Sequence, residues 1–152
     1  MVEIRPGDLD DPEVVTLLEE HLREMHEESC EDSCHALDLS ELHQSEVTFW
    51  TAHDGLELAG CAAVKQLDAT HGEIKSMRTT SAYRGKGIGK LLLKHIIKEA
   101  RQRSCQRLSL ETGSMEFFEP ARKLYEKFGF VYCEPFEDYS EDPNSVFMTL
   151  NL

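Results

Sequence analysis

The stretch YRGKGIGKLLLKHI, from Tyr83 to Ile96, limits what this chain can fold into more than any other part of it. Gly85, Gly87 and Gly89 fall within five residues, and apolar residues at helical spacing follow at once. Glycines at the mouth of a helix let the backbone turn through positive φ, and they leave the first N–H groups of the helix pointing outward. The residues before the turn, HGEIKSMRTT, read as a strand. A strand that runs through a glycine turn into a helix belongs to an α/β layer fold and suits an anion at the helix start. Arg84, Lys86 and Lys90 add positive charge there. Two nucleotide-binding patterns share this plan, and both fail. G-x-G-x-x-G would need glycine where Lys90 stands. The G-x-x-x-x-G-K-[ST] pattern would need glycine at Arg84 and Ser or Thr at Leu91.

The rest of the chain supplies the other elements. VEIRP reads as a short strand ended by Pro6. A helix follows, with Asp11 as cap, Pro12 in its first turn and a stripe of Val14, Val15, Leu17, Leu18, Leu22 and Met25. CEDSCHALDLSELH reads as loop or a short second helix. EVTFWTAHDGLELAGCAAVKQL is a hairpin signal turning at Asp54-Gly55. The helix after the glycine turn is expected over about 87–103, burying Ile88, Leu91, Leu92, Ile96 and Ile97. QRLSLET is a strand, EPARKLYEKFG a helix closed by Gly129, and FVYCEP and SVFMTL two final strands. The order β, α, (α), β, β, β, α, β, α, β, β implies a mixed α/β fold with helices on both faces of one sheet. With no repeat and no linker, one domain over residues 1–152 is expected.

Charge narrows the function classes. The net charge is −13, yet residues 61–110 carry +8 between segments of −15 and −6. A chain this acidic is not built for nucleic acid, whose binding rests on many neutralised phosphates. The basic middle surrounds the glycine turn and suits a small anion. No run of 18 apolar residues marks a membrane span, and MVEIRPGDLDD has no apolar secretory stretch. The five cysteines, Cys30, Cys34, Cys61, Cys105 and Cys133, form an odd, scattered set that reads as free thiols. The expected compartment is therefore the cytoplasm. Cys30, Cys34 and His35 are too few and too irregular for a metal site, so no metal is expected. His21, His26, His35, His43 and His53 read as surface residues on an acidic face.

RGKGIG matches R/Q-x-x-G-x-G/A, the acyl-CoA pyrophosphate loop of the GNAT acetyltransferase superfamily. EIKSMRTTSAY resembles that family's fourth strand. ARKLYEKFGF resembles its last helix, with A-x-x-L-Y-x-x-x-G-F. The resemblance follows the chain's whole element order and is densest from residue 73 to 133. EIKSMRT, LSLETGSM and DPNSVFM further resemble a bacterial subgroup whose members are mostly known only as acetyltransferases. The resemblance implies a mixed, mostly antiparallel sheet of six to seven strands, splayed between the fourth and fifth. Acetyl-CoA would enter that gap like a missing strand and bond the backbone of Met77, Arg78 and Thr79. Its pyrophosphate would sit on Arg84, Gly85, Lys86, Gly87, Ile88 and Gly89.

Acetyl transfer to an amine needs a base, an oxyanion donor and an acid for the departing thiolate. By resemblance Tyr125 is the acid. Glu73 matches the strand glutamate that is the base in the histone-acetylating branch, with Glu111 as alternate. His71 reads as an exposed turn histidine. A main-chain N–H from Met77 to Thr79 would hold the oxyanion. Where many members carry an asparagine that touches the cofactor, this chain has Phe118, so that contact must differ. Family substrates enter beside the first helices and last two strands, which places ESCEDSCHALDLSELH, Phe49, Trp50 and FEDYSEDPNS near the pocket. The acids would draw in an amine, and Lys75 and Arg78 could bind a carboxylate. The expected activity is acetyl-CoA-dependent N-acetylation of a small, even amino-acid-like, primary amine. A protein-lysine or N-terminal acetyltransferase and a non-catalytic acyl-CoA sensor are the alternatives. Dimers are common in the family, which makes a homodimer one of its implications.

Overall fold

The computed structural model describes residues 2–28, 39–114, 116–137 and 139–152. Its elements are β1 (Val2–Pro6), α1 (Pro12–Glu28), α2 (Leu39–Leu42), β2 (Val47–Asp54), β3 (Glu57–Gln66), β4 (His71–Thr79), α3 (Ile88–Gln102), β5 (Arg107–Gly113), α4 (Glu119–Lys127), β6 (Val131–Cys133) and β7 (Ser145–Asn151). Seven strands make one sheet in the order β1-β2-β3-β4-β5-β7-β6. The β4–β5 pair is parallel and its strands are joined by α3; the other neighbours are antiparallel. No described helix is long and apolar enough to cross a membrane.

Local chemistry fixes the boundaries. Asp11 caps α1 by accepting the Glu13 N–H at 2.9 Å. α4 closes where the Phe130 N–H reaches the Tyr125 carbonyl and the Gly129 N–H that of Glu126, with Gly129 at φ +94°. The hairpin turn sits one residue later than the Asp54-Gly55 pair suggests. Asp54 pairs with Glu57, and Gly55 alone takes positive φ, so the loop is Gly55-Leu56.

Both faces of the sheet are covered. Successive strand residues point to opposite faces, so Phe49 packs with Val14, Leu17, Leu18 and Leu42 of α1 and α2. Trp50 instead joins Leu92, Leu93 and Ile96 of α3, together with Tyr125 and Phe130. This corrects the placement of both aromatics near the pocket. They are 7% and 6% exposed, and they serve the core. On α3 the buried set is Ile88, Leu92, Leu93, Ile96, Ile97 and Ala100, whereas Leu91 is 40% exposed. The helix starts at Ile88, and 100° per residue then turns Leu93 inward and Leu91 to the flank. Truncating a fully buried leucine such as Leu92 to alanine costs about 2–5 kcal/mol.

The sheet is interrupted at one place. β4 and β5 pair only from His71 opposite Arg107 to Ile74 opposite Leu110. Beyond this, β4 stays with β3 and β5 stays with β7. β4 also bulges, because its register on β3 slips between Cys61 opposite Arg78 and Ala63 opposite Lys75; Ser76 there has φ +55°. His71 is not an exposed turn histidine. It opens β4, is buried, and shares a 2.6 Å hydrogen bond with Ser109 beside the Phe136 ring. Burial lowers its pKa.

Candidate active site

A cavity of about 340 Å³ lies where β4 and β5 part. Glu73, Met77, Arg78 and Thr79 line it from β4, Leu110, Glu111 and Thr112 from β5, and Ala121 and Tyr125 from α4 with Phe118 from the turn before it. His21 and Glu24 enter from α1. Predicted residues from the strand and the last helix thus meet around one space, with Arg84 reaching it from the first position of the glycine turn.

Tyr125 reaches the cavity from α4, whose Phe130 end packs 5.7 Å from its ring. Its hydroxyl lies 3.9 Å from the Met77 sulfur. Burial pushes its pKa up to about 12, so the phenol keeps its proton at neutral pH.

Glu73 stands across the cavity on β4, 3% exposed. Its Oε2 accepts the Tyr139 hydroxyl at 2.7 Å and the Lys75 ammonium at 3.2 Å, and Lys75 also donates to Tyr139 at 2.7 Å. A buried carboxylate persists only when paired and hydrogen-bonded, and this cluster supplies both. Burial, with the Glu73 charge beside it, drives the Tyr139 pKa upward, so its hydroxyl remains a donor.

At the other end Arg78 donates to both oxygens of Glu24, at 2.5 and 2.8 Å, and Arg84 stands 3.8 Å away. The Arg78 hydrogen bond holds the Glu24 carboxyl below its usual range. Burial, then the Arg78 charge, lowers His21 to about 4, so its ring is neutral at pH 7. His21 is therefore a cavity-lining residue and not a surface one. Lys75 and Arg78 do not stand free for a carboxylate either, since each is already paired with an acid.

The glycine turn leads away from this cavity. Gly85 and Gly87 take φ +77° and +81°, and a Cβ on either would meet open space. Ile88 buries its side chain in the core, so it offers the turn only main chain. Lys86 lies 5.2 Å over the Tyr83 ring, and the Tyr83 hydroxyl is bonded to Asp54 and Glu57 at 3.1 and 2.9 Å. The ring thereby ties the turn to the β2–β3 hairpin. Phe118 fills the place expected of an asparagine. It packs so close to Gly113 that a Cβ there would lie 2.0 Å from the ring.

The sequence assigns no role to Ser76 or Glu24, puts His21 on the surface, and brings Tyr139 near the pocket only as part of FEDYSEDPNS. His21 and Glu24 sit three apart on one helix and so share a face, a signal the sequence carries. Tyr139 shares the acidic FEDYSEDPNS run with Phe136, whose ring packs 5.2 Å from its own. Among the described residues no three His, Cys, Asp or Glu side chains could hold a metal ion. Cys30, Cys34 and His35 lie outside the described residues.

Comparison with known proteins agrees with this geometry. A sequence model of the acetyltransferase (GNAT) family matches residues 14–130. The chain is 60% identical over 149 residues to the uncharacterized N-acetyltransferase YsnE of Bacillus subtilis, covering 98% of this chain and 99% of that one. It is 45% identical over 152 residues to the uncharacterized N-acetyltransferase YedL of Escherichia coli, covering 100% and 96%. The fold matches a GNAT family acetyltransferase from Elizabethkingia anophelis, solved with acetyl-CoA bound, at a TM-score of 0.73 and 21% identity over 99% of this chain and 98% of that one.

Proposed function

The chain belongs to the GNAT acetyltransferase family, and from that premise we propose that it moves an acetyl group from acetyl-CoA directly to the primary amine of a small molecule. One observation carries this: Glu73 and Tyr125 face a single cavity from different walls, in the gap where β5 leaves β4. The pyrophosphate rests on the main chain of Arg84 to Gly89, and the pantetheine arm bonds the freed edge of Met77, Arg78 and Thr79 with Phe118 packed against it. The amine nitrogen, having given its proton to Glu73 directly or through one water, attacks the thioester carbon. The carbon–sulfur bond breaks, the Tyr125 phenol gives its proton to the leaving thiolate, and the extra proton on the acylated nitrogen returns through solvent to the phenolate, leaving amide and thiol.

Charge supports a small, amino-acid-like acceptor. The cavity sets Glu73 beside Lys75 and Glu24 beside Arg78, so an acceptor's ammonium meets a carboxylate, while its own carboxylate must share a cation with the acid already paired to it. Calorimetric titration with acetyl-CoA, followed by thiol release across amino acids, arylalkylamines, polyamines and lysine peptides, tests the proposal. Micromolar binding with release on a small amine is expected. Release on lysine peptides alone would move the function to protein acetylation. Tight binding with silence on every amine would make the chain an acyl-CoA sensor.

A further inference from the structure

Ser76 is unusual in two independent ways. It is a non-glycine residue at φ +55°, in the left-handed region that glycine occupies without strain. Its hydroxyl is also buried with no hydrogen-bond partner, in a residue only 7% exposed that lines the cavity. A buried hydroxyl without a partner is costly, and native proteins keep few of them. The backbone around it is well held, since the Ser76 carbonyl accepts the Cys61 thiol at 3.4 Å. The bulge therefore holds an unsatisfied donor within the cavity wall, on a fixed piece of main chain.

Its place along β4 says what that donor meets. With the pyrophosphate on Arg84 to Gly89 and the pantetheine arm on Thr79, Arg78 and Met77, the acyl end arrives next at Ser76. Met77, one residue on, touches the Tyr125 hydroxyl, and Glu73 and Lys75 lie just before. Resting on that cofactor placement, we infer that the Ser76 hydroxyl is a catalytic group that donates a hydrogen bond to the thioester carbonyl oxygen. As the amine adds, that oxygen gains negative charge and the bond shortens and strengthens, so Ser76 stabilises the tetrahedral intermediate more than the substrate. No proton changes hands at Ser76.

The test titrates the protein and its Ser76→Ala and Ser76→Gly variants with two probes, coenzyme A and acetyl-CoA. The two probes differ only in the acetyl group. Ser76→Gly removes the hydroxyl and also relieves the backbone strain that serine and alanine both bear at this φ, so it keeps the test open if the alanine variant fails to fold. The expected result is that both variants keep coenzyme A affinity within about twofold and bind acetyl-CoA about fivefold to tenfold less tightly relative to it, the worth of one neutral hydrogen bond. Thiol release from acetyl-CoA should fall on the order of 10²-fold in both, the loss typical of a single oxyanion donor. An unchanged ratio of the two affinities overturns the inference. So does an equal loss of both probes, which would mean that Ser76 acts only through the shape of the bulge. Failure of the unaltered protein to bind coenzyme A removes the cofactor placement itself and the inference with it.

Discussion

The glycine turn and the acceptor end of the cavity both hang from β4, and they are built on opposite plans. The turn is made of consecutive residues and acts through main chain. Gly85 and Gly87 face open space, and its helix start leaves N–H groups unused by the helix itself. The acceptor end is made of side chains that find one another across the fold. Tyr139 bonds Glu73 from 66 residues away, and at the far end of the same cavity Glu24 bonds Arg78 from 54. One region can be altered only by bending backbone. The other can be altered by removing single atoms. A region of the first kind tolerates sequence change on its surface and fixes one ligand class, while one of the second kind can be retuned for new acceptors on the same scaffold.

Variants can break this contrast or sharpen it. The largest effect is expected at Tyr125→Phe, which removes one oxygen from the reacting region. Thiol release should fall about 10²–10⁴-fold with acetyl-CoA affinity unchanged; a fall below about threefold, measured by steady-state kinetics, would deny Tyr125 the acid role. Glu73→Gln should cost on the order of 10²-fold, most severely at low pH, where the amine is protonated. A loss equal at every pH would count against Glu73 as base. Gly87→Val tests the opposite plan. A β-branched residue is forced out of φ +81°, so acetyl-CoA affinity should drop roughly tenfold to a hundredfold, from about 1–2 kcal/mol of backbone strain plus lost contacts. Turnover at saturating cofactor should survive, whereas a pure kcat loss would erase the distinction between the regions.

A smaller effect concerns the α1 side of the cavity and acid. His21 has its pKa lowered in the fold, so the unfolded chain binds the extra proton first. The stability tied to His21 is present above pH 6.5 and is lost as pH falls toward about 4. His21→Asn should flatten the slope of unfolding free energy over that window, by about 1–2 kcal/mol because the ring is only half-buried. Chemical denaturation at a series of pH values reads it directly, and an unchanged slope would mean that His21 is not held neutral. Smallest is the Arg78–Glu24 pair. A double-mutant cycle with Arg78→Met and Glu24→Gln should give a coupling of about 1 kcal/mol, since Glu24 is partly open to solvent.

The same contrast explains what the sequence disclosed. The turn, the strand before it and the helix that ends in Tyr125 were legible because each is a run of neighbours with a local pattern. The β2–β3 hairpin was legible for the same reason. Phe49 and Trp50 were misplaced because β2 is buried on both faces, so alternation gave no sign of which residue met a helix and which a cavity. Leu91 and Leu93 differ only by rotation about the helix axis, which depends on where the helix begins. Arg78 looked free because Glu24 lies 54 residues away in the chain, whereas the acid beside Lys75 was in plain view, since residues two apart on a strand share a face and Glu73 is one of them. Ser76 gave no warning, since a bulge is a property of two strands and not of one.

The interrupted pairing of β4 and β5 has a further consequence for how the molecule is put together. The sheet order keeps the chain's first four strands on one side of the gap and its last three on the other, with no strand crossing over. Glu73 and Ser76 belong to the first group, Phe118 and Tyr125 to the second. Neither half of the gene encodes a reaction centre. It comes into being only along the short seam where the two halves close on each other, and a cut in the link between α3 and β5 would separate the two sets of reactive groups without dividing either sheet fragment.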